Sequence, residues 1–117
     1  MHELDITKNL IKQIKEIIIS KKINKNMAIN LEIGNLSTFS AMPIKFYFKN
    51  LLKEDDFFEN KIIKLKIIKK KGIIYCNDCN TKTIIDRLDD IYCSKCYSLN
   101  TKIIDGKEVI IKKIELI

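Results

Sequence analysis

The spacing of apolar residues predicts a helix at the start of the chain, followed by a strand. Apolar side chains recur mostly three or four positions apart in a stretch studded with lysines: Leu4, Leu10, Ile11, Ile14, Ile17 and Ile18. This period places them on one face of an amphipathic helix that begins near residue 3. Residues 28 to 33 then alternate apolar and polar side chains before Gly34, which is typical of a strand with one buried face.

A second helix and two long strands complete the apolar pattern. Pro43 suits the first turn of a helix, and the residues that share a face behind it are Ile44, Phe48, Leu51 and Leu52. Residues 61–70 and 108–117 both alternate like strands, and in the first of them Ile63, Leu65 and Ile67 share one face. Neither strand has a partner nearby in the sequence, so we expect the two to pair with each other as a hairpin.

The four cysteines form two CxxC pairs, Cys76 with Cys79 and Cys93 with Cys96, and thirteen residues separate the pairs. Each CxxC turn directs two thiolates at one cation, so two turns predict a tetrahedral four-cysteine zinc site. A pair of disulfides is disfavoured in a reducing compartment, and a redox CxxC normally occurs singly near a βαβ unit. A closed zinc shell folds its own segment and has no open position for catalysis.

The segment that contains the cysteines, the cysteine module, interrupts the predicted hairpin. We therefore predict that it is an insertion. Gly72 and Gly106 flank it and are reasonable places for the chain to turn. Residues 72–105 carry four basic and five acidic side chains, a net charge of −1, whereas the remainder carries eighteen basic and ten acidic ones, or +8. We predict one domain from residues 1–71 and 106–117, and an inserted zinc-binding domain at 72–105.

The bulk properties of the chain exclude several classes of protein. A chain of 117 residues makes one domain or a domain with a small appendage. It shows no signal-peptide pattern and no uncharged run near the roughly 20 residues of a membrane span, so we expect a soluble, cytoplasmic protein without a membrane partner. One histidine, no cysteine outside the pairs and no phosphate-binding glycine loop argue against an enzyme.

The N-terminus is a candidate metal chelate, because the sole histidine is residue 2. One metal ion would be held in a five-membered and a six-membered chelate ring. The donors are the Met1 α-amine, the deprotonated His2 backbone nitrogen and the His2 Nδ1 atom. Coplanar nitrogens of this kind suit Ni(II) or Cu(II), and Glu3 can complete the site through its amide or carboxylate. The alternative interpretation is a histidine on a frayed, solvated end.

Four segments in order along the chain resemble the HypA family of hydrogenase nickel-insertion proteins: MHELDIT, INLEIGNLS, the two CxxC pairs and DGKEVIIKKIEL. The resemblance implies an α+β fold, with two helices on a three-stranded antiparallel sheet and an inserted zinc-ribbon-like domain. It implies that Met1, His2 and Glu3 bind Ni(II) as cargo, and that a structural Zn(II) is held by Cys76, Cys79, Cys93 and Cys96. The implied partners are the HypB GTPase and the large subunit of nickel–iron hydrogenase, which receives the nickel.

The chain departs from the family pattern at three places. Many members carry glutamate where this chain has Asn35, and a carboxylate near the second helix where this chain has residues 40–42. Some members carry histidine directly after the last zinc cysteine, where this chain has Tyr97. One chain therefore offers nickel a single imidazole.

The main alternative function is a zinc-ribbon module that binds nucleic acid. The net charge of +7 favours it, and Tyr75, Tyr92 and Tyr97 are able to stack on bases. Backbone binding requires clustered lysine or arginine on the contacting element, whereas the ribbon itself is net acidic. We therefore expect a metallochaperone, and no nucleic-acid partner.

Overall fold

The computed structural model describes residues 3–117. Its helices and strands are α1 (Glu3–Lys21), β1 (Met27–Gly34), α2 (Ala41–Glu54), β2 (Ile63–Lys70), β3 (Gly72–Cys76), β4 (Lys82–Ile85), β5 (Thr101–Asp105) and β6 (Val109–Leu116). Short 3-10 turns lie at Asp56–Phe58 and Leu88–Asp90. The α+β class and the two helices agree with the sequence prediction, and no helix within residues 3–117 is long and apolar enough to cross a membrane.

Strand β1 lies at the centre of the first sheet, whose order is β2-β1-β6. The predicted hairpin between β2 and β6 is therefore wrong, because each of them pairs with β1 instead. Their alternating patterns identify two strands with a half-buried face, but an apolar pattern does not specify which strand lies beside which.

The pairing of β1 with β2 is parallel. The Met27 N–H donates to the Ile62 carbonyl at 3.0 Å, and the Asn35 N–H donates to the Lys70 carbonyl at 2.7 Å. Residue numbers on the two strands rise together, so the expectation of a wholly antiparallel sheet is wrong for this pair. Helix α2 lies between the two strands in the chain and supplies the long crossover that a parallel connection requires.

The pairing of β1 with β6 is antiparallel, as expected. The Gly34 N–H donates to the Glu108 carbonyl, and the Ile117 N–H donates to the Asn26 carbonyl, both at 2.9 Å. Residue numbers rise on one strand as they fall on the other. The first sheet is thus mixed, with one parallel and one antiparallel pair.

Strand β1 is buried on both faces, although its sequence predicts one buried face. Seven of its eight residues are buried, and Asn30 is half-buried. Asn30 Nδ2 donates to Glu115 Oε1 at 2.8 Å, and Glu32 Oε1 lies 3.6 Å from Lys70 Nζ. Polar side chains on one face of β1 are thus covered by partners from the neighbouring strands, which no alternation pattern reveals.

The first compact unit comprises the chain up to Leu31, Phe39–Ile67 and Ile111–Ile117. Its core joins one face of α1 to β1, α2 and the first 3-10 turn, through Ile11, Ile14, Ile18, Met27, Ile29, Phe48 and Phe58. Ile11, Ile14 and Ile18 of the predicted apolar stripe of α1 belong to this core, because the three- and four-residue spacing keeps them on the inner side.

The second compact unit comprises Glu32–Thr38 and Ile68–Ile110. It contains a second three-stranded sheet of order β4-β3-β5, which is antiparallel throughout and is not predicted from the sequence. Its small core is built on Leu36, Ile74 and Ile85. So few buried apolar residues provide little stability by themselves.

Three glycines lie in close contact within the second unit. A Cβ atom on Gly34 would lie 2.0 Å from the Gly106 carbonyl oxygen, and one on Gly72 would lie 2.1 Å from Leu36 Cδ1. Gly106 itself has a φ of +91°, a conformation that side chains rarely adopt. Gly72 and Gly106 are thus both sites of close packing, and the chain bends at Gly106.

Candidate metal centre

The first cysteine pair lies at the turn of the hairpin formed by β3 and β4. The Cys76 N–H donates to the Thr81 carbonyl, and the Asn80 N–H donates back to the Cys76 carbonyl, both at 2.9 Å. Asn80 adopts a positive φ of 60°, a conformation that asparagine tolerates better than most residues. The turn keeps Cys79 close to Cys76, so that the two thiols converge.

The second cysteine pair repeats this turn. The Cys93 N–H donates to the Ser98 carbonyl at 3.0 Å, and the Tyr97 N–H donates to the Cys93 carbonyl at 2.9 Å. Tyr97 has a φ of 61°, so the left-handed residue again follows the second cysteine, Cys96. Two turns of the same design face each other, although Tyr97 is a poorer residue for that conformation than Asn80.

The four Sγ atoms form one cluster, with every pair within 4.8 Å. Cys76 Sγ lies 3.6 Å from Cys96 Sγ, and Cys79 Sγ lies 3.4 Å from Cys93 Sγ. These distances exceed a disulfide bond of about 2.05 Å, and all four cysteines are free thiols. Four sulfurs at about 2.3 Å from one tetrahedral ion would lie about 3.8 Å apart, so the cluster fits such an ion.

The crowding of four thiols shifts the pKa values of two of them in opposite directions. Cys93 Sγ accepts hydrogen bonds from the backbone N–H groups of Cys96 and Lys95, which lower the pKa of Cys93 to about 6. The bond from Cys96 has the larger effect. At Cys96 the Ser98 N–H also lowers the pKa, but partial desolvation of the thiol and the three neighbouring thiols outweigh it and raise the pKa to about 12. One thiolate forms readily and the last resists ionisation, a conflict that a bound metal ion resolves.

A polar network joins the two cysteine turns beside the sulfur cluster. Ser98 Oγ donates to Asp78 Oδ2, and Asn100 Nδ2 donates to Asp78 Oδ1 at 3.0 Å. These two hydrogen bonds hold the pKa of Asp78 below its ordinary value of 3.8, and the bond from Ser98 has the larger effect. Asn77 Nδ2 also donates to Asn100 Oδ1 at 3.2 Å. The network fixes the first turn against the second, as outer-shell contacts do at metal sites.

This network is not predicted from the sequence. Spacing alone predicts the four cysteines as one cluster, whereas the contacts of Asp78 with Ser98 and Asn100 span about twenty residues. Nothing in the local pattern marks them. The contact of Thr83 Oγ1 with the Ser94 N–H, at 3.2 Å, is equally invisible in the sequence.

The predicted nickel ligands Met1 and His2 lie outside the residues that the structure describes, whereas Glu3 opens helix α1. Glu3 Oε2 accepts a hydrogen bond of 3.1 Å from the Ser40 N–H, immediately before α2. The Glu3 carbonyl accepts from Thr7 Oγ1 at 2.7 Å. The start of α1 is therefore held against the start of α2.

Comparisons with known proteins agree with one another. The family described as "Hydrogenase/urease nickel incorporation, metallochaperone, hypA" matches residues 1–116. Among curated relatives, the hydrogenase maturation factor HypA of Methanocaldococcus jannaschii is 35% identical over 119 residues, covering 96% of this chain and 94% of the relative. The HypA of Methanococcus maripaludis strain S2 is 33% identical and covers 92% and 89%.

A solved structure shares the fold as well. The solution structure of the Ni metallochaperone HypA from Helicobacter pylori is 25% identical to this chain, with a TM-score of 0.69. The match covers 99% of this chain and 97% of the solved one.

Proposed function

Because the chain belongs to the HypA family of hydrogenase and urease nickel-incorporation metallochaperones, we propose that it carries Ni(II) at its N-terminus and delivers the ion to nickel–iron hydrogenase. It is a maturation factor and not an enzyme. The proposed recipient is the hydrogenase large subunit, and the proposed helper is the HypB GTPase.

The nickel site that we propose consists of Met1, His2 and Glu3. His2 is the only histidine in the chain, so no other imidazole competes for the ion. The carboxylate of Glu3 already accepts the Ser40 N–H at 3.1 Å, so we assign its contribution to nickel to the backbone nitrogen. Three or four nitrogen donors at a chain terminus suit a square-planar ion and leave it accessible for transfer.

The second proposed metal is a structural Zn(II) held by Cys76, Cys79, Cys93 and Cys96. The observation that supports it is the sulfur cluster itself, with all pairs within 4.8 Å. Four thiolates complete a tetrahedral shell and leave no position for a substrate. We therefore assign zinc to folding and nickel to transport.

Nickel titration of untagged protein with an authentic Met1 tests the N-terminal assignment. His2→Ala and a one-residue extension before Met1 should each abolish stoichiometric Ni(II) binding, because the first removes the imidazole and the second removes the chelating amine. Zinc content and circular dichroism should not change. Acid should weaken binding, because protons compete for the nitrogen donors.

Asp5→Ala is the matched control, since Asp5 is an exposed carboxylate in the same first turn of α1. This variant should bind nickel like the wild-type protein. If either N-terminal variant still binds one Ni(II) per chain with unchanged affinity and spectrum, nickel binds elsewhere and the proposal is wrong.

A further inference from the structure

Two large apolar side chains are exposed near the start of helix α2. Met42 is 81% exposed and Phe46 is 63% exposed. They lie four residues apart in the helix, so they share one face, which we call the α2 patch. The opposite face carries the buried Ile44 and Phe48. Adjacent exposed apolar side chains of this size are typical of a surface that a partner covers, and methionine and phenylalanine are enriched at such surfaces.

The α2 patch lies beside the contact that joins α2 to the start of the chain. Glu3 Oε2 accepts a hydrogen bond of 3.1 Å from the Ser40 N–H, and Met42 follows Ser40 by two residues. Glu3 is also the last of the three proposed nickel ligands, after Met1 and His2. Nickel passes directly between two proteins only when the ligands of the acceptor come within bonding distance of the ion. A protein that takes nickel from this terminus must therefore approach the start of α2.

The charges around the α2 patch are predominantly positive. The first halves of the two helices, residues 3–12 and 41–50, hold four lysines and two carboxylates, a net charge of +2: Lys8, Lys12, Lys45, Lys49, Glu3 and Asp5. The four lysines are exposed and form no ion pair within the described residues, whereas the Glu3 carboxylate accepts the Ser40 N–H. The first acidic residue of α2 after the patch is Glu54, which is about 12 Å beyond Phe46 along the helix axis. An acidic surface would complement this part of the molecule.

We propose that the α2 patch is the docking surface for the protein that accepts the nickel. The contacting surface of the acceptor is apolar where it covers Met42 and Phe46, and acidic where it faces the surrounding lysines. This inference rests on the proposed function, and it adds a docking surface separate from the nickel ligands. A second copy of this chain is disfavoured, because it would bring the same lysines face to face.

Nickel transfer to the nickel-free hydrogenase large subunit tests the apolar part of the surface. Met42→Gln with Phe46→Gln should transfer nickel about tenfold more slowly than the wild-type protein, because the apolar contact with the acceptor is lost. The nickel affinity of this variant, and the rate at which it gives nickel to a small chelator, should not change, since neither side chain is a proposed ligand. A lowered nickel affinity would show that the patch acts on the metal site and would overturn the proposal.

Ile19→Gln with Leu116→Gln is the matched control, since these apolar side chains are 65% and 53% exposed and belong to the same compact unit. This control should transfer nickel within about twofold of the wild-type rate, and equal slowing in both variants would overturn the proposal. A wild-type protein that binds nickel but does not transfer it would contradict the proposed recipient and this inference with it. Normal transfer by the Met42 and Phe46 variant would contradict the docking surface alone. If that variant transfers nickel normally but binds the HypB GTPase more weakly, the patch serves the helper and the proposal is wrong.

Charge reversal tests the acidic part of the acceptor surface. Lys45→Glu with Lys49→Glu should slow the transfer by about tenfold or more, and added salt should slow transfer from the wild-type protein. Lys64→Glu with Lys66→Glu is the control, because it changes the net charge equally at two exposed positions of β2. Equal slowing in both variants would show that only the net charge matters, and the α2 patch would lose its charge complementarity to the acceptor.

Discussion

At the scale of single residues, the close contact between Gly34 and Gly106 is a strict packing constraint. A Cβ atom on Gly34 would overlap the Gly106 carbonyl oxygen at 2.0 Å, and a backbone carbonyl cannot rotate away as a side chain can. We predict that Gly34→Ala lowers the free energy of unfolding by about 2–4 kcal/mol, in the range of severe overpacking.

Denaturant unfolding of Gly34→Ala measures this cost. Lys107→Ala is the control, because Lys107 is exposed and adjoins Gly106 in the chain. A Gly34→Ala variant as stable as the control would show that the two backbone segments at Gly34 and Gly106 separate at little cost.

Asp55 gives a prediction about pH. The Asp55 carboxylate accepts hydrogen bonds from the Lys15 ammonium and the Phe57 N–H, and both hold the pKa of Asp55 below its ordinary value of 3.8. Lys15 has the larger effect. A carboxylate with a lowered pKa contributes stability that is present above 3.8 and is lost as the pH falls through its folded value. Lys15→Met should therefore move the pKa of Asp55 up toward 3.8.

Carbon-13 NMR of the Asp55 carboxyl through an acid titration measures the pKa of this group. Lys12→Met is the control, since Lys12 is exposed on the same helix and forms no ion pair with Asp55 within the described residues. The assignment of the ion pair fails if both variants titrate alike.

At the scale of elements, the two cysteine turns depend on a residue with positive φ after the second cysteine. Asn80→Val and Asn80→Gly both remove the hydrogen bond from Tyr75 Oη to Asn80 Oδ1, which is 2.7 Å long. Valine is strained at φ 60°, whereas glycine is not. We predict that Asn80→Val is about 1–2 kcal/mol less stable than Asn80→Gly, since left-handed backbone costs that much.

The two Asn80 variants are compared by thermal unfolding and by the rate at which a chelator removes the metal. Asn80→Val should lose metal faster than Asn80→Gly. Equal rates would mean that the conformation of this turn does not control metal retention.

The elements also show what an apolar pattern can and cannot predict. The start of helix α1 is predicted at the correct residue, because its apolar stripe is long and regular, and strands β2 and β6 are recovered within two residues. The order of the sheet is not predicted, because β1 pairs with residues more than thirty positions away. Strands β3, β4 and β5 are missed, since each is four or five residues long and the cysteines dominate that part of the sequence.

At the scale of the whole molecule, the predicted domain division at residues 72–105 is open to a direct test. Cys76→Ser removes a buried ligand of the sulfur cluster, and the core of three residues around it is too small to hold the segment alone. We predict that the variant releases zinc and loses amide protection at residues 72–105. Protection in α1, α2 and the sheet β2-β1-β6 should persist.

Hydrogen exchange on Cys76→Ser, with Ser94→Ala as the control in the same module, distinguishes local from global unfolding. A uniform loss of protection throughout the chain would show that the metal stabilises one cooperative structure, and the division into domains would be wrong.

The central position of β1 has a consequence for biosynthesis. The last cysteine, Cys96, precedes Leu116 at the end of β6 by twenty residues, which a ribosome adds in about 1–4 s. From the start of that interval all four cysteines are present in the nascent chain, while β1 still lacks one of its two neighbours. The first sheet therefore closes only after all four cysteines of the sulfur cluster have been synthesised.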